Sequence, residues 1–265
     1  MLRLFCAAAT LFLTVTPGLA QSPPPAAVKN LAPTGKLRAA INAGNVVLVQ
    51  KDAAGQVQGV TIDLAHELGK RLGVPADLIV YETAGKTTDA VTAGAWDVCF
   101  VAIEPARAKV IDFTAPYVVI EGTYMVGTDS PLKTIDEVDH NGARIAVAKG
   151  SAYDLFLTRT IRHATLVRYP SPPLAYAGFV ADKLDAAAGV KQALTQFAKI
   201  NASMRVMDGH FQEIREAMGM PIGRSAGLSY LRSFVEDMKS SGFVRKSLDR
   251  AGQTDALVGP PAGND

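Results

Sequence analysis

Cysteine is scarce in this 265-residue chain, which has two, Cys6 and Cys99. The first falls in a leader-like segment. Arg3 precedes an apolar run from Leu4 to Val15, and Gly18-Leu19-Ala20 then offers small residues at a cleavage point. That is the layout of a secretory signal peptide over residues 1–20. The run is too short to span a membrane, which takes about 20 apolar residues, and no second run of that length follows. The mature chain is therefore expected to be soluble and exported, to a bacterial periplasm. Cys6 lies ahead of the leader's cleavage end, which argues against a lipid anchor. With the leader gone Cys99 stands alone, so no internal disulfide can form. Such a chain must be held by its core rather than by cross-links. Cys99 itself reads as a small hydrophobe packed in a strand.

Neither sign of charge dominates, since 27 Lys and Arg face 25 Asp and Glu. That balance excludes a nucleic-acid binder with a broad basic face and a highly charged disordered chain. The four histidines, His66, His140, His163 and His210, are scattered, none three or four residues from another. With one thiol left, no metal site is expected. There is no G-x-G-x-x-G after a strand and no Walker-type loop, and no cofactor is expected. Gly223 to Gly227 (GRSAG) matches the nucleophile-elbow pattern G-x-S-x-G. That chemistry needs a histidine downstream of the serine, whereas every histidine lies upstream. The segment reads as a turn and a helix start.

What the chain does have is alternation. KLRAAIN sets Leu37, Ala39 and Ile41 on one face, as in a strand, and VVLVQ from Val46 is a second apolar run. Ile62, Ala65, Leu68 and Leu72 recur at helical spacing, with Gly73 and Pro75 as stop signals. DLIVYE (77–82) reads as a strand, residues 87–94 as a short helix, and DVCFVAI (97–103) as a strand. A second set follows: strand 143–149, helix 151–161, strand 165–169, helix 172–183, strand 184–189 and helix 190–199. Strands alternating with helices predict two parallel α/β units. Residues 113–127 form an extended, β-rich join, and an extended stretch near 212–222 leads back before helices at 226–239 and 242–251. Residues 21–34 are Pro-rich and read as a tether. Residues 256–265 read as a loose tail.

The informative segment runs from Asp97 to Tyr117. A buried strand ends near Ala102, and Arg107 follows in a Pro-shaped turn. Ligands of open α/β sheets gather beyond the carboxyl ends of strands, and a planar guanidinium there can grip a carboxylate through paired hydrogen bonds. In the second unit Lys149-Gly150-Ser151 joins a strand to a helix, and Ser151-x-x-Asp154 resembles a capping box. Helix starts of this kind also bind anions. Together Arg107 and Ser151 would form a two-sided carboxylate clamp.

At these residues the chain resembles a known family, the periplasmic solute-binding proteins of polar amino acid ABC transporters (extracellular solute-binding family 3). GKLRAAI resembles its opening strand and GVTIDLAHELGKRLG its G-[FV]-x-[IV]-D-L-A helix block. AGAWDV with ARAKVIDFTAPY resembles its G-x-x-D … R … D-F-[ST]-x-P-Y signature. DEVDHNGARIAVAKGS and KLDAAAG resemble its second-lobe blocks. The likeness covers about residues 35–250. It implies a two-lobed α/β periplasmic binding protein of the type II, Venus-flytrap kind with two crossing segments. Lobe 1 would be discontinuous (35–120 and 212–255) and lobe 2 would span 121–211. It also implies a monomer that closes on a small carboxylate-bearing solute and hands it to a membrane ABC permease. Arg107 matches the family's α-carboxylate ligand and Ser151 its second-lobe contact.

Three departures bear on the ligand. Where many members stack an aromatic on the ligand, this chain has Asn45. Where many have Thr in a T-P-x-R turn, it has Glu104. Where α-amino acid binders place an acid, it has Val190. A buried ammonium without a counter-charge is costly, so either Glu104 supplies the charge or the ligand has no α-ammonium. Glu121 and Tyr124 lie in the join and could face the cleft. The expected contact set is thus Arg107, Ser151, Glu104, Ala102, Asn45, Tyr124 and Val190. The rival reading is an enzyme on the same scaffold, a dehydratase of cyclohexadienyl acids with Glu104 or Glu121 as proton donor. A third is a receptor subunit presenting its closed state to a sensor.

Overall fold

A computed structural model describes residues 22–263; the predicted signal peptide lies outside the described residues. The first half of the chain holds α1 (Pro25–Leu31), β1 (Leu37–Asn42), β2 (Gln50–Lys51), β3 (Val57–Gln58), α2 (Val60–Leu72), β4 (Ala76–Tyr81), α3 (Ala84–Asp89), β5 (Val98–Ala102) and β6 (Ile111–Gly127). Then come β7 (Arg144–Ala148), α4 (Ala152–Thr160), β8 (Thr165–Tyr169), α5 (Pro172–Ala181), β9 (Ala186–Val190), α6 (Lys191–Ile200) and β10 (Met204–Val206). The chain returns through β11 (Gln212–Pro221), α7 (Ser225–Ser240), α8 (Phe243–Arg250) and β12 (Leu257–Val258).

The strands join in the order β4-β1-β5-β11-β6-β9-β7-β8. β1 pairs in parallel with β4 and β5, and β7 in parallel with β8 and β9. Between these groups lies β6, a 17-residue strand. Its first part pairs with β11 and β12, its last part with β9 and β10. One strand therefore belongs to both halves, and the sequence explains it. Ile111–Gly127 is rich in β-branched and aromatic residues and has no helix-breaking cluster to interrupt it. The two-lobed α/β expectation is met.

Local signals account for several helix ends. α2 stops at Gly73, whose left-handed φ of 71° lets its N–H reach back to Gly69 and Lys70. α3 begins earlier than periodicity predicts, because the Thr83 hydroxyl accepts from Lys86 N at 3.2 Å and caps it there. The GRSAG segment is a helix start: Ser225 is exposed at the head of α7, and Gly227 N donates to Asn30 Oδ1 at 3.1 Å.

Two expectations fail at the ends of the chain. Within the predicted tether of residues 21–34, Pro25–Leu31 is helix, with Ala27 and Leu31 buried. Proline at the head of a helix is preorganised for it, and the apolar side of this short helix packs on α7. Asn30 O also accepts from Arg224 Nη1 at 3.0 Å. The predicted loose tail over 256–265 is likewise tied down. Ala256 is buried, β12 pairs with Val118 and Val119 of β6, and Gly259 N donates to Tyr117 O at 2.9 Å. Both misreadings come from partners remote in sequence.

Truncation of Leu31 to Ala is expected to cost about 2–5 kcal/mol of stability, as for a filled core position. Urea unfolding measures it; a change under about 0.5 kcal/mol would mean the segment is a dispensable tether after all.

Candidate functional site

The carboxyl ends of the strands from both halves point at one another. β1 ends at Asn42, β5 at Ala102, β7 at Ala148 and β9 at Val190, and all four residues line one cavity. The turn after β1 and the starts of α3, α4 and α5 complete it, together with Ile214 and Glu216 of β11. Its volume is about 40 Å³, room for a water or two and no more. The halves are closed upon each other. A groove of about 570 Å³ adjoins it, sharing Gly44 and Pro172, with Lys51 and Glu82 among the residues of its rim.

Arg107 occupies the centre. It is 2% exposed, at the head of a short 3-10 turn after β5. Its Nη1 donates to Ala102 O at 2.8 Å and its Nη2 to Gly150 O at 2.9 Å. The second bond crosses between the halves. A guanidinium has five N–H donors, so these two bonds leave capacity, including Nε, which is buried without a partner. Burial lowers the affinity of the group for its proton, while the negative charges of Glu216 and Glu104 act in the opposite direction.

Ser151 lines the cavity on the opposite side. Its hydroxyl accepts from Asp154 N at 3.1 Å, so the expected N-cap forms, while Asp154 Oδ2 accepts from Gly150 N at 2.8 Å, one residue ahead of the N–H that a capping box would use. Gly150 itself has a φ of 73°, and a Cβ there would stand 2.9 Å from Gly85 Cα. This turn needs glycine for its conformation and for the close approach of α3 from the other half.

Of the expected contact set, the structure brings Arg107, Ser151, Ala102, Asn45 and Val190 together around the cavity. It does not bring Glu104 or Tyr124 there. Glu104 is 1% exposed but turned away: Gln212 Nε2 donates to its Oε1 at 3.0 Å, and Arg159 Nη1 of α4 lies 2.6 Å from its Oε2. Tyr124 instead packs tilted against Phe211, ring centroids 4.6 Å apart, and Phe211 stacks on Phe156 at 5.9 Å. Glu121 is held at the crossing by Lys191 at 2.6 Å and His210 at 3.2 Å. Cys99 is fully buried in β5 as expected, its thiol pushed up to about 12 by that burial.

Sequence reasoning missed Glu216. It is 4% exposed, lines the cavity, and takes a hydrogen bond from Asn45 Nδ2 at 3.0 Å through Oε1, while Oε2 has no partner. Burial raises its carboxyl from 4.5 to about 7, against the opposing pull of Arg107 and the Asn45 bond. A signal was present. Ile214, Glu216, Met218 and Met220 alternate on one face of an apolar strand, and an acid on such a face needs a reason to be there.

The arrangement is that of a two-lobed α/β binding protein, with a cavity between the halves at the strand ends. In sequence, residues 37–253 match the model of bacterial extracellular solute-binding proteins, family 3, and the chain belongs to that family. It is 24% identical over 196 residues, 72% of this chain and 73% of the relative, to the L-cystine-binding protein TcyJ of Escherichia coli K12. It superposes on the solute receptor for L-cysteine of Neisseria gonorrhoeae with a TM-score of 0.74 at 21% identity, covering 84% and 92% of the two chains. An ancestral amino acid-binding protein, a precursor of cyclohexadienyl dehydratase, gives 0.72 at 23% identity, covering 84% and 98%.

Two measurements check this geometry. Arg159→Ala removes the partner of a buried carboxylate across the closed interface, so small-angle scattering should show a larger radius of gyration than for the parent protein. An unchanged radius would mean that the pair does not hold the halves together. Glu216 has a folded-state pKa above its unfolded value, so its contribution to stability is full below about pH 4.5 and is lost as the pH rises through about 7. Relative to Glu216→Gln, the parent protein should lose on the order of 3 kcal/mol across that window. Parallel stability curves would rule the shift out.

Proposed function

We propose that this protein is the periplasmic substrate-binding component of an ABC transporter. It binds a small carboxylate-bearing solute, an amino acid or an organic acid, in the cleft between its halves and delivers it to a membrane permease, acting as a monomer. The observation that carries this reading is Arg107: a buried guanidinium at the strand ends, bridging both halves, with N–H groups to spare. Its planar fork suits a carboxylate held through two parallel bonds. The start of α4, with Ser151, faces the same cavity from the other half. A ligand touching both sides favours the closed arrangement over the open one and so drives closure. The names of relatives add L-cystine and L-cysteine to the ligands worth testing, and one relative is named as a periplasmic protein.

A second reading rests on Glu216. A buried carboxyl pushed to about 7 can donate a proton, which is what a dehydratase on this scaffold would require. Glu104 and Glu121 suit that part less well, since Arg159 and Lys191 stand beside them as counter-charges. Incubation with prephenate or arogenate followed by product analysis separates the readings; the transport reading expects no turnover.

A thermal-shift screen of free amino acids, L-cystine and simple organic acids should yield at least one ligand that raises the melting temperature. Arg107→Lys, which keeps the charge but loses the fork, should weaken that ligand by about thirtyfold or more, within the 2–5 kcal/mol typical of a buried charged contact. Undiminished affinity in a folded Arg107→Lys protein would sink the proposal.

A further inference from the structure

We infer that Glu216 recognises a cationic nitrogen on the ligand, taking the role left open at Val190, with Asn45 as its positioning residue. The inference rests on the reading that Arg107 receives the ligand's carboxylate.

Three observations carry it. First, Glu216 presents a free acceptor. Asn45 Nδ2 fixes Oε1 at 3.0 Å, and Asn45 is itself pinned because its Oδ1 accepts from Val47 N at 3.2 Å. Oε2 stays unpartnered in a side chain that is 4% exposed and lines the cavity. A buried acceptor without a donor is costly, and a ligand N–H removes that cost. Second, the acid expected to serve is engaged elsewhere. Glu104 is taken by Arg159 and Gln212 and does not line the cavity, and Val190 lines it at the position where an acid was expected.

The third observation is a charge count. Three charged residues line the cavity, and Lys149 is exposed to solvent, so the buried charges there are those of Arg107 and Glu216, one positive and one negative when both are ionised. A ligand bringing only a carboxylate leaves one uncompensated buried negative charge. A ligand bringing a carboxylate and an ammonium leaves none. Burial of an unpaired charge is what a closed site of this kind cannot tolerate. Protonating Glu216 reverses the preference, since an amine-free acid then balances Arg107 alone.

The site should therefore discriminate by pH, and the surrounding groups allow Glu216 to be the one that titrates. Arg107 faces it from the turn after β5, Tyr117 from β6, and Cys99 of β5 lies beside Arg107; Glu104 acts on Arg107 from further along the turn. Burial pushes the Tyr117 hydroxyl and the Cys99 thiol upward, so both remain neutral near pH 7. Glu216 crosses from acid to carboxylate at about 7.

The test pairs amino acids with their deaminated counterparts: L-alanine with propionate, L-cysteine with mercaptopropionate, L-glutamate with glutarate, L-phenylalanine with hydrocinnamate. Calorimetry would follow each between about pH 5 and pH 9. For the parent protein the bound amino acid should tighten by up to about tenfold per pH unit below 7 and then level off, while its deaminated counterpart weakens above 7. Glu216→Gln should lose the amino-acid preference and flatten both profiles. Asn45→Ala, which leaves both charges in place, should weaken the amino acid without abolishing the pH response. Equal binding of the paired ligands by the parent protein at high pH overturns the inference even if no Glu216 variant folds. Retention of the pH response in Glu216→Gln overturns it as well. If deaminated acids bind above pH 7 in an Arg107-dependent way and equally well to the parent protein and to Glu216→Gln, the carboxylate reading survives and this assignment does not. If no carboxylate binds the parent protein, both fall.

Discussion

A buried guanidinium needs compensation from every side, and much of this site's geometry follows from supplying it to Arg107. Ala102 O from the same half and Gly150 O from the other each take one of its N–H groups, and Glu216 offers the nearby negative charge. The Gly150 bond brings the turn before α4 against α3, an approach that requires glycine at Gly150. The charge at the strand ends thus draws the halves together.

The same bonds that close the cleft must break to open it. Arg107 to Gly150 and Glu104 to Arg159 both join the halves, and the cavity they enclose admits little more than water. β6 is continuous through both halves, with β11 paired along it to Gly122, so opening must bend or twist these strands near Glu121. Around that point the contacts are of a different kind: Tyr124, Phe211 and Phe156 pack in series, and Lys191 and His210 flank Glu121. Packed rings and partly exposed ion pairs tolerate small rotations better than the directional Arg107 to Gly150 hydrogen bond does. A ligand shifts the balance between open and closed forms only by what it contacts on both sides.

The alternating order of strands and helices was legible because apolar periodicity and stop signals such as Gly73 act over a few residues. Arg107 and Ser151 were legible because the carboxyl end of a strand and the start of a helix can be located from the same local cues. Glu104 was not. Beside Arg107 in sequence it looks like a cleft residue, yet Arg159 and Gln212, far along the chain, draw it aside. Glu216 was hidden for the complementary reason, since its strand arrives beside β5 only after the whole second half has been built. The first helix and the last strand were misread because Pro-rich and Gly-rich ends resemble tethers until α7 and β6 are there to receive them.

The sequence by itself determined the two α/β units, the long strand that links them and the place of Arg107. These are consequences of side-chain period, turn chemistry and composition, which operate within a window of some ten residues. The tertiary structure alone decided which acid accompanies that arginine. Glu104 and Glu216 have the same chemistry, and what separates them is the partner each meets across the fold: a guanidinium from α4 for one, a single amide from Asn45 for the other. Burial then leaves Glu216 with an unmet oxygen and a carboxyl poised near neutrality. That difference depends on long-range packing, which no local pattern encodes.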